Sequence, residues 1–110
     1  LEEADRQIQK AISLAHEGNY LQEKGVALMI YGRVLEKKKQ NQLARRAYQE
    51  SLEILEAKDL YQKTKCQLAY GAFLLKESDE QSKELLANAL KNAQSLNARS
   101  EIQTIQRLLK

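Results

Sequence analysis

The sequence predicts an all-α protein, a solenoid of helical hairpins with about five antiparallel helices and a C-terminal capping helix. Three observations predict it. Strong helix formers (Ala, Leu, Gln, Glu, Lys) dominate a chain of 110 residues with no proline and only four glycines. Apolar residues recur at spacings of three and four, the helical period, in one segment after another. The pattern also repeats. Tyr31-Gly32 returns as Tyr70-Gly71, 39 residues on, Ile12 matches Leu52, and Leu52 matches Leu90. Two helices in a period of about 40 residues mark a helical solenoid.

The elements follow in order. The first helix is predicted from Glu2 to Glu17, with Ala4, Ile8, Ala11, Ile12 and Ala15 on one face. Gly18-Asn19 ends it, because both residues tolerate the left-handed conformation of a helix stop. The second runs from Tyr20 to Lys38 and is apolar nearly all round (Val26, Ala27, Met29, Ile30, Tyr31, Val34, Leu35), so it is expected to be buried on two sides. Lys37, Lys38 and Lys39 close it, where cations meet the negative end of the helix dipole. Asn41 is the expected cap of a third helix carrying Leu43, Ala44, Ala47, Tyr48, Ser51, Leu52, Ile54 and Leu55. Lys58-Asp59 breaks the pattern. The fourth helix spans Leu60 to Lys76 with a wide apolar arc around Cys66, Tyr70 and Phe73. Ser78 followed by Gln81 reads as a capping box for a fifth helix, which holds Leu85, Leu86, Ala89, Leu90 and Ala93. After Leu96-Asn97 a last helix, Ala98 to Leu109, presents Ile102, Ile105, Leu108 and Leu109.

Composition sets the limits. Apolar residues at 43% and charged residues at 30% fit a folded domain with a core. A net charge of +3 is too small an excess to imply nucleic acid, and no aromatic residues are interleaved with the basic ones for base stacking. No segment approaches the roughly 18 apolar residues of a membrane span. The one cysteine, Cys66, excludes an internal disulfide and a cysteine zinc cage, and the compartment expected is the cytoplasm. The chain opens on Leu1-Glu2-Glu3-Ala4, already in helical rhythm, and is expected to be a fragment of a larger protein.

Leu28, Tyr31, Gly32 and Leu35, then Ala44, Tyr48 and Ser51, stand at the spacings of the two helices of a tetratricopeptide hairpin. Gly71 and Leu74, then Ser82, Leu86 and Ala89, stand there again with one residue fewer in the turn, and Ala4, Ile8 and Ala11 match the second helix of an earlier hairpin. Over about residues 4 to 93 the sequence resembles the tetratricopeptide repeat family. It departs in three ways. Its period is about 40 where the family's common period is about 34, the closing proline is missing, and Gln67 stands where a large apolar residue is expected. The longer helices resemble those of bacterial transcriptional regulators, signalling ATPases of the maltose-activator kind, kinesin light chains and spindle-orientation adaptors.

The resemblance implies a right-handed α-α superhelix and one repeat domain over residues 1–110. Residues 1–19 would be the second helix of a truncated repeat, 20–58 and 59–96 full repeats, and 97–110 the capping helix. Tyr31, Gly32, Ala44, Tyr70, Gly71 and Ser82 would be the structural residues of the repeat. Glycine in mid-helix costs about 1 kcal/mol relative to alanine. Gly32 and Gly71 therefore imply that another backbone passes close by, with Ala44 and Ser82 as the matching small residues. Members of the family bind peptides or helices on a concave face lined by the first helix of each hairpin. That face would carry Val26, Met29, Ile30, Arg33 and Lys37, with Lys65, Leu68, Ala69, Ala72 and Lys76 from the next hairpin. The lysine and asparagine with which some members hold a chaperone's C-terminal carboxylate are replaced here by Met29 and Arg33, so that clamp is not expected.

Residues for chemistry are scarce. His16, at the end of the first helix, reads as a helix-end cation. Cys66, in an apolar run and matching Ala27 in the repeat, reads as a small core residue. No phosphate loop, metal-spaced cluster or nucleophile elbow is present, so no catalytic residue, cofactor or metal is expected. Arg33, Lys37, Lys38, Lys39, Arg45 and Arg46 gather around one hairpin turn; between a patch for an acidic partner or nucleic acid and a solvated helix end, they read as the latter. The function expected is non-catalytic: a scaffold for a protein or peptide partner. The alternative is an effector-sensing module of a bacterial transcriptional regulator or signalling ATPase. Self-association is expected through the first helix, where Ile8, Ile12 and Leu14 lack cover, and not through the C-terminal helix, whose Arg99, Glu101, Gln103 and Arg107 face water.

Overall fold

A computed structural model describes residues 1–110. The protein is all-α: 83% of its residues are helical and none is in a strand. The helices are α1 (Glu2–Glu17), α2 (Leu21–Lys37), α3 (Asn41–Leu55), α4 (Leu60–Lys76), α5 (Gln81–Ser95) and α6 (Arg99–Leu109). All six lie within a few residues of the spans the sequence predicts. They form two helical units, Leu1–Asp59 and Leu60–Lys110.

Four connections share one backbone device. Asn19, Lys39, Ser78 and Asn97 take left-handed φ values of 55 to 62°. At each, the next residue's N–H reaches back five residues, as Tyr20 to the Ala15 carbonyl and Gln40 to the Leu35 carbonyl, both at 2.8–2.9 Å. This is the Schellman ending, which satisfies the orphan carbonyls of a helix C-terminus. Lys39 and Ser78 are 39 residues apart, Asn19 and Asn97 twice that, so the turns repeat with the helices. The connection after α3 lacks the device. There Lys58 and Asp59 both donate to the Leu55 carbonyl.

Several end signals resolve differently from the sequence reading. At the α1 stop only Asn19 is left-handed; Gly18 stays at φ −82°. A Cβ at Gly18 would meet only the ring of Tyr20, an exposed side chain that can swing aside, so the space does not demand glycine there. Asn41 is the first helical residue of α3, not its cap: the cap position is Gln40, without a side-chain hydrogen bond. Ser78 turns the chain, and it is Asp79 Oδ1 that accepts the Gln81 N–H at 2.9 Å.

In unit 1, α2 packs against α1 on one side and α3 on the other. This is why α2 carries apolar residues nearly all round. In unit 2, α4 pairs with α5, and α6 packs on both. The buried faces coincide in register. Ala44, Tyr48, Ser51 and Leu55 are the buried stripe of α3, and Ser82, Leu86, Ala89 and Ala93, each 38 residues later, are that of α5. On the first helices, Gly25, Ala27, Leu28, Gly32 and Leu35 of α2 match Thr64, Cys66, Gln67, Gly71 and Leu74 of α4, each 39 later and all buried.

The two mid-helix glycines do sit at close contacts, but against side chains. A Cβ on Gly32 would lie 2.7 Å from Cε1 of the Tyr48 ring, and one on Gly71 2.8 Å from Cδ2 and Cγ of Leu86. The small residues Ala44 and Ser82 are fully buried one turn earlier on the same stripes. The glycines thus receive the large residue of each stripe, Tyr48 or Leu86, rather than a passing backbone.

Candidate interaction surfaces

The residues expected on a binding face divide by burial. On α2, Ile30, Arg33 and Lys37 are exposed and Val26 is half-buried, whereas Met29 is 3% exposed and belongs to the core. On α4, Lys76 is exposed and Lys65 and Ala72 are half-buried. Leu68 packs against Leu86, Ala89, Ala93 and Ile105, and Ala69 is buried. Each first helix therefore offers a narrow strip of one turn or two, ending in a lysine: Ile30, Arg33 and Lys37 in unit 1, Ala72 and Lys76 in unit 2. Tyr70 is buried and Tyr31 half-buried. Burial, followed by the Asp5 charge, raises the Tyr31 phenol above its usual range.

The basic cluster at the α2–α3 turn is not uniform. Lys38 Nζ bonds Asp5 Oδ2 at 2.7 Å and Glu2 Oε1 at 2.9 Å, joining the end of α2 to the start of α1. Asp5 is 6% exposed and also accepts from Gln9. The hydrogen bond from Lys38 is the main reason the Asp5 and Glu2 carboxyls are held below their usual range. The reciprocal bond to Asp5 pushes Lys38 up to about 12. Arg33, Lys37, Lys39 and Arg46 are exposed. Lys38 is thus a structural cation, which the sequence does not distinguish from its neighbours.

His16 lies at the exposed end of α1, its Nδ1 3.2 Å from Lys24 Nζ. Cys66 is fully buried. No group of three or more His, Cys, Asp and Glu side chains gathers at a metal-holding distance, and no helix is long and apolar enough to cross a membrane.

One concavity was not evident from the sequence. In unit 1 the side of α1 bearing Ile8 and Ala11 and the side of α2 bearing Gln22, Glu23, Val26, Ala27 and Ile30 form a groove of about 450 Å³. Ala11 is exposed, and Ile30 is 41% exposed. The signal that finds it is the spacing of 78 residues between unit 1 and unit 2. Ile8, Ala11, Glu23, Ala27 and Ile30 stand 78 residues before Leu86, Ala89, Glu101, Ile105 and Leu108.

Comparison of the chain with protein-family models, with curated proteins and with solved structures finds no match in any of the three.

Proposed function

We propose that this chain is a non-catalytic protein-interaction scaffold of the tetratricopeptide-like kind. Its two hairpins are read as successive repeats, stacked in the right-handed superhelix expected of that family. The first helix of each hairpin offers its outward strip to a peptide or helix. The observation that carries the reading is the common register of the hairpins: the buried stripe of α3 recurs in α5 at a constant 38 residues, and the large residue of each stripe meets a glycine of its partner helix. Outside that frame the residues vary, with Val26 matched by Lys65 and Arg33 by Ala72, as expected where a fixed framework presents different contacts. The strips end in cations, so the partner segment carries apolar residues followed by acids. The setting proposed is the cytoplasm, where a lone thiol stays reduced.

The test is an array of amphipathic acidic peptides probed with the intact protein. Peptides retained at about 0.15 M salt are expected to lose most of their binding to the Arg33→Glu/Lys37→Glu variant, and none to Arg107→Glu on α6. Retention unaffected by the double charge reversal, or no retention at all, would overturn the reading.

A further inference from the structure

We propose that the two hairpins carry a side-chain pairing code, which makes each first helix accept its own second helix and reject the other hairpin's. The device guards a chain of near-equal hairpins against exchanging helices, within one molecule or between two copies. It does not depend on what the surface binds.

Register alone leaves the pairing open. α2 pairs with α3 and α4 with α5. Buried positions of the two first helices coincide at 39 residues, and those of the two second helices at 38. Gly32 and Gly71 admit the large residues Tyr48 and Leu86 at the same place. Other position pairs, however, match only within their own hairpin. Gln67, 5% exposed, accepts from Asn92 Nδ2 at 3.0 Å, where unit 1 has Leu28 and Ile54. A Cβ on Gly25 would lie 2.8 Å from Leu55 Cγ, whereas unit 2 has Thr64 and Ala93 at those places, both fully buried. Tyr48 donates its hydroxyl to Glu36 Oε2 at 2.8 Å, whereas unit 2 has Leu86 and Leu75.

Exchange would break all of these pairs at once. With α4 on α3, the Gln67 amide stands opposite Ile54, and the Tyr48 hydroxyl faces Leu75. Thr64 then brings a branched side chain to the place where Leu55 leaves no room for a Cβ. With α2 on α5, Asn92 stands opposite Leu28, and Gly25 opposite Ala93, where both sides are small. A buried amide without its partner disfavours an arrangement by roughly tenfold or more, and overpacking and voids add to that. The native pairs carry none of these penalties. The polar pair therefore contributes choice of partner more than stability, as buried polar groups do where they fix register.

The experiment uses the intact chain with Cys66→Ala and a pair of reporter cysteines. Lys24 Nζ stands 3.7 Å from Glu50 Oε2 across α2 and α3, and Asn88 is the counterpart of Glu50 in α5. Lys24→Cys/Glu50→Cys therefore traps the native pairing as a disulfide, and Lys24→Cys/Asn88→Cys traps the exchanged one. Each protein is refolded from urea in a glutathione redox buffer, and the cross-linked fraction is read by non-reducing electrophoresis. The native trap is expected to close in every background. The exchanged trap is expected to stay nearly empty with the unaltered pairs, and to fill at least about tenfold more when Gln67→Leu/Asn92→Ile makes the hairpins alike. Asn92→Ala, which weakens unit 2 but keeps Gln67, is expected to leave it nearly empty. An exchanged trap that fills as readily as the native one with the unaltered pairs, or that ignores Gln67→Leu/Asn92→Ile, overturns the proposal. So does one that responds as strongly to Asn92→Ala, because lost stability is then the cause. A Gln67→Leu/Asn92→Ile protein that does not fold by circular dichroism overturns it too, because the pair would then supply stability and not choice.

Discussion

Gly32 lies directly against the ring of Tyr48: a Cβ there would stand 2.7 and 2.8 Å from Cε1 and Cδ1. The ring cannot step aside cheaply, because Tyr48 is fully buried and its hydroxyl donates to Glu36 Oε2 at 2.8 Å. Gly32→Ala gains about 1 kcal/mol of helix propensity but forces a fixed ring to move. Overpacking of that kind costs about 1–3 kcal/mol. The expected result is a net loss of stability in a denaturant melt. Gly71→Leu, aimed at the fully buried Leu86, is expected to cost more than about 2 kcal/mol; a neutral or stabilising leucine would show that the contact is slack.

Gln67 and Asn92 form a polar pair where unit 1 has Leu28 and Ile54. Gln67 is 5% exposed, and its Oε1 accepts from Asn92 Nδ2 at 3.0 Å. Leaving one buried partner unpaired costs about 1–3 kcal/mol, while replacing both by apolar groups is nearly neutral. Asn92→Ala is therefore expected to destabilise by that amount, and Gln67→Leu/Asn92→Ile to recover most of it. A double variant as unstable as the single one would contradict the pairing.

Lys39 and Ser78 hold left-handed conformations that are strained for residues with a Cβ. The left-handed region costs about 1–2 kcal/mol for such residues and nothing steric for glycine. Lys39→Gly and Ser78→Gly are each expected to raise the unfolding midpoint, corresponding to about 0.5–1 kcal/mol after the extra freedom of glycine in the unfolded chain is subtracted. A lowered midpoint would mean that the Lys39 side chain contributes more than its turn costs.

The contact of α1 with the end of α2 depends on pH in a defined sense. Asp5 and Glu2 have lowered pKa values, chiefly through Lys38, so their contribution is present above the ordinary carboxylate range and lost as pH falls through the lowered values. Lys38, pushed up to about 12, contributes below its ordinary value and loses that contribution as pH rises through the raised one. The contact is thus fully formed between about pH 5 and pH 9. Lys38→Gln is expected to speed amide exchange in α1 at pH 7 while leaving α5 and α6 unchanged. Lowering the wild-type pH from 5 to 2 should cost more urea stability than it costs Asp5→Asn; equal losses would remove Asp5 from the account.

Cys66 is fully buried, so its thiol is expected to react with a disulfide reagent only as fast as unit 2 opens. The measured rate should rise with urea in parallel with unfolding. Rapid labelling of the folded protein would instead mean an accessible thiol.

The helices and their breaks were legible in the sequence because both depend on local chemistry. Apolar spacing at the helical period located all six helices, Gly18-Asn19 marked one turn through tolerance of positive φ, and Leu96-Asn97 showed as a break in the pattern. The wide apolar arc of α2 announced burial on two sides, which packing against α1 and α3 bears out. The repeat was legible too, as Tyr31-Gly32 and Tyr70-Gly71.

What the tertiary structure decided was which of several similar residues meets which. Nothing local separates Lys38 from Lys37 and Lys39; only the approach of α1 gives it Asp5 and Glu2. Nothing local says that Gln67 has an amide partner 25 residues away, or that the glycines receive Tyr48 and Leu86. Met29 reads as surface as easily as core until α2 is packed, and the Ile8–Ile30 groove exists only because α1 and α2 lie side by side. Periodicity is a property of a single helix. Partnership is a property of two, set by their relative rotation and depth, and side-chain spacing within one helix does not contain it.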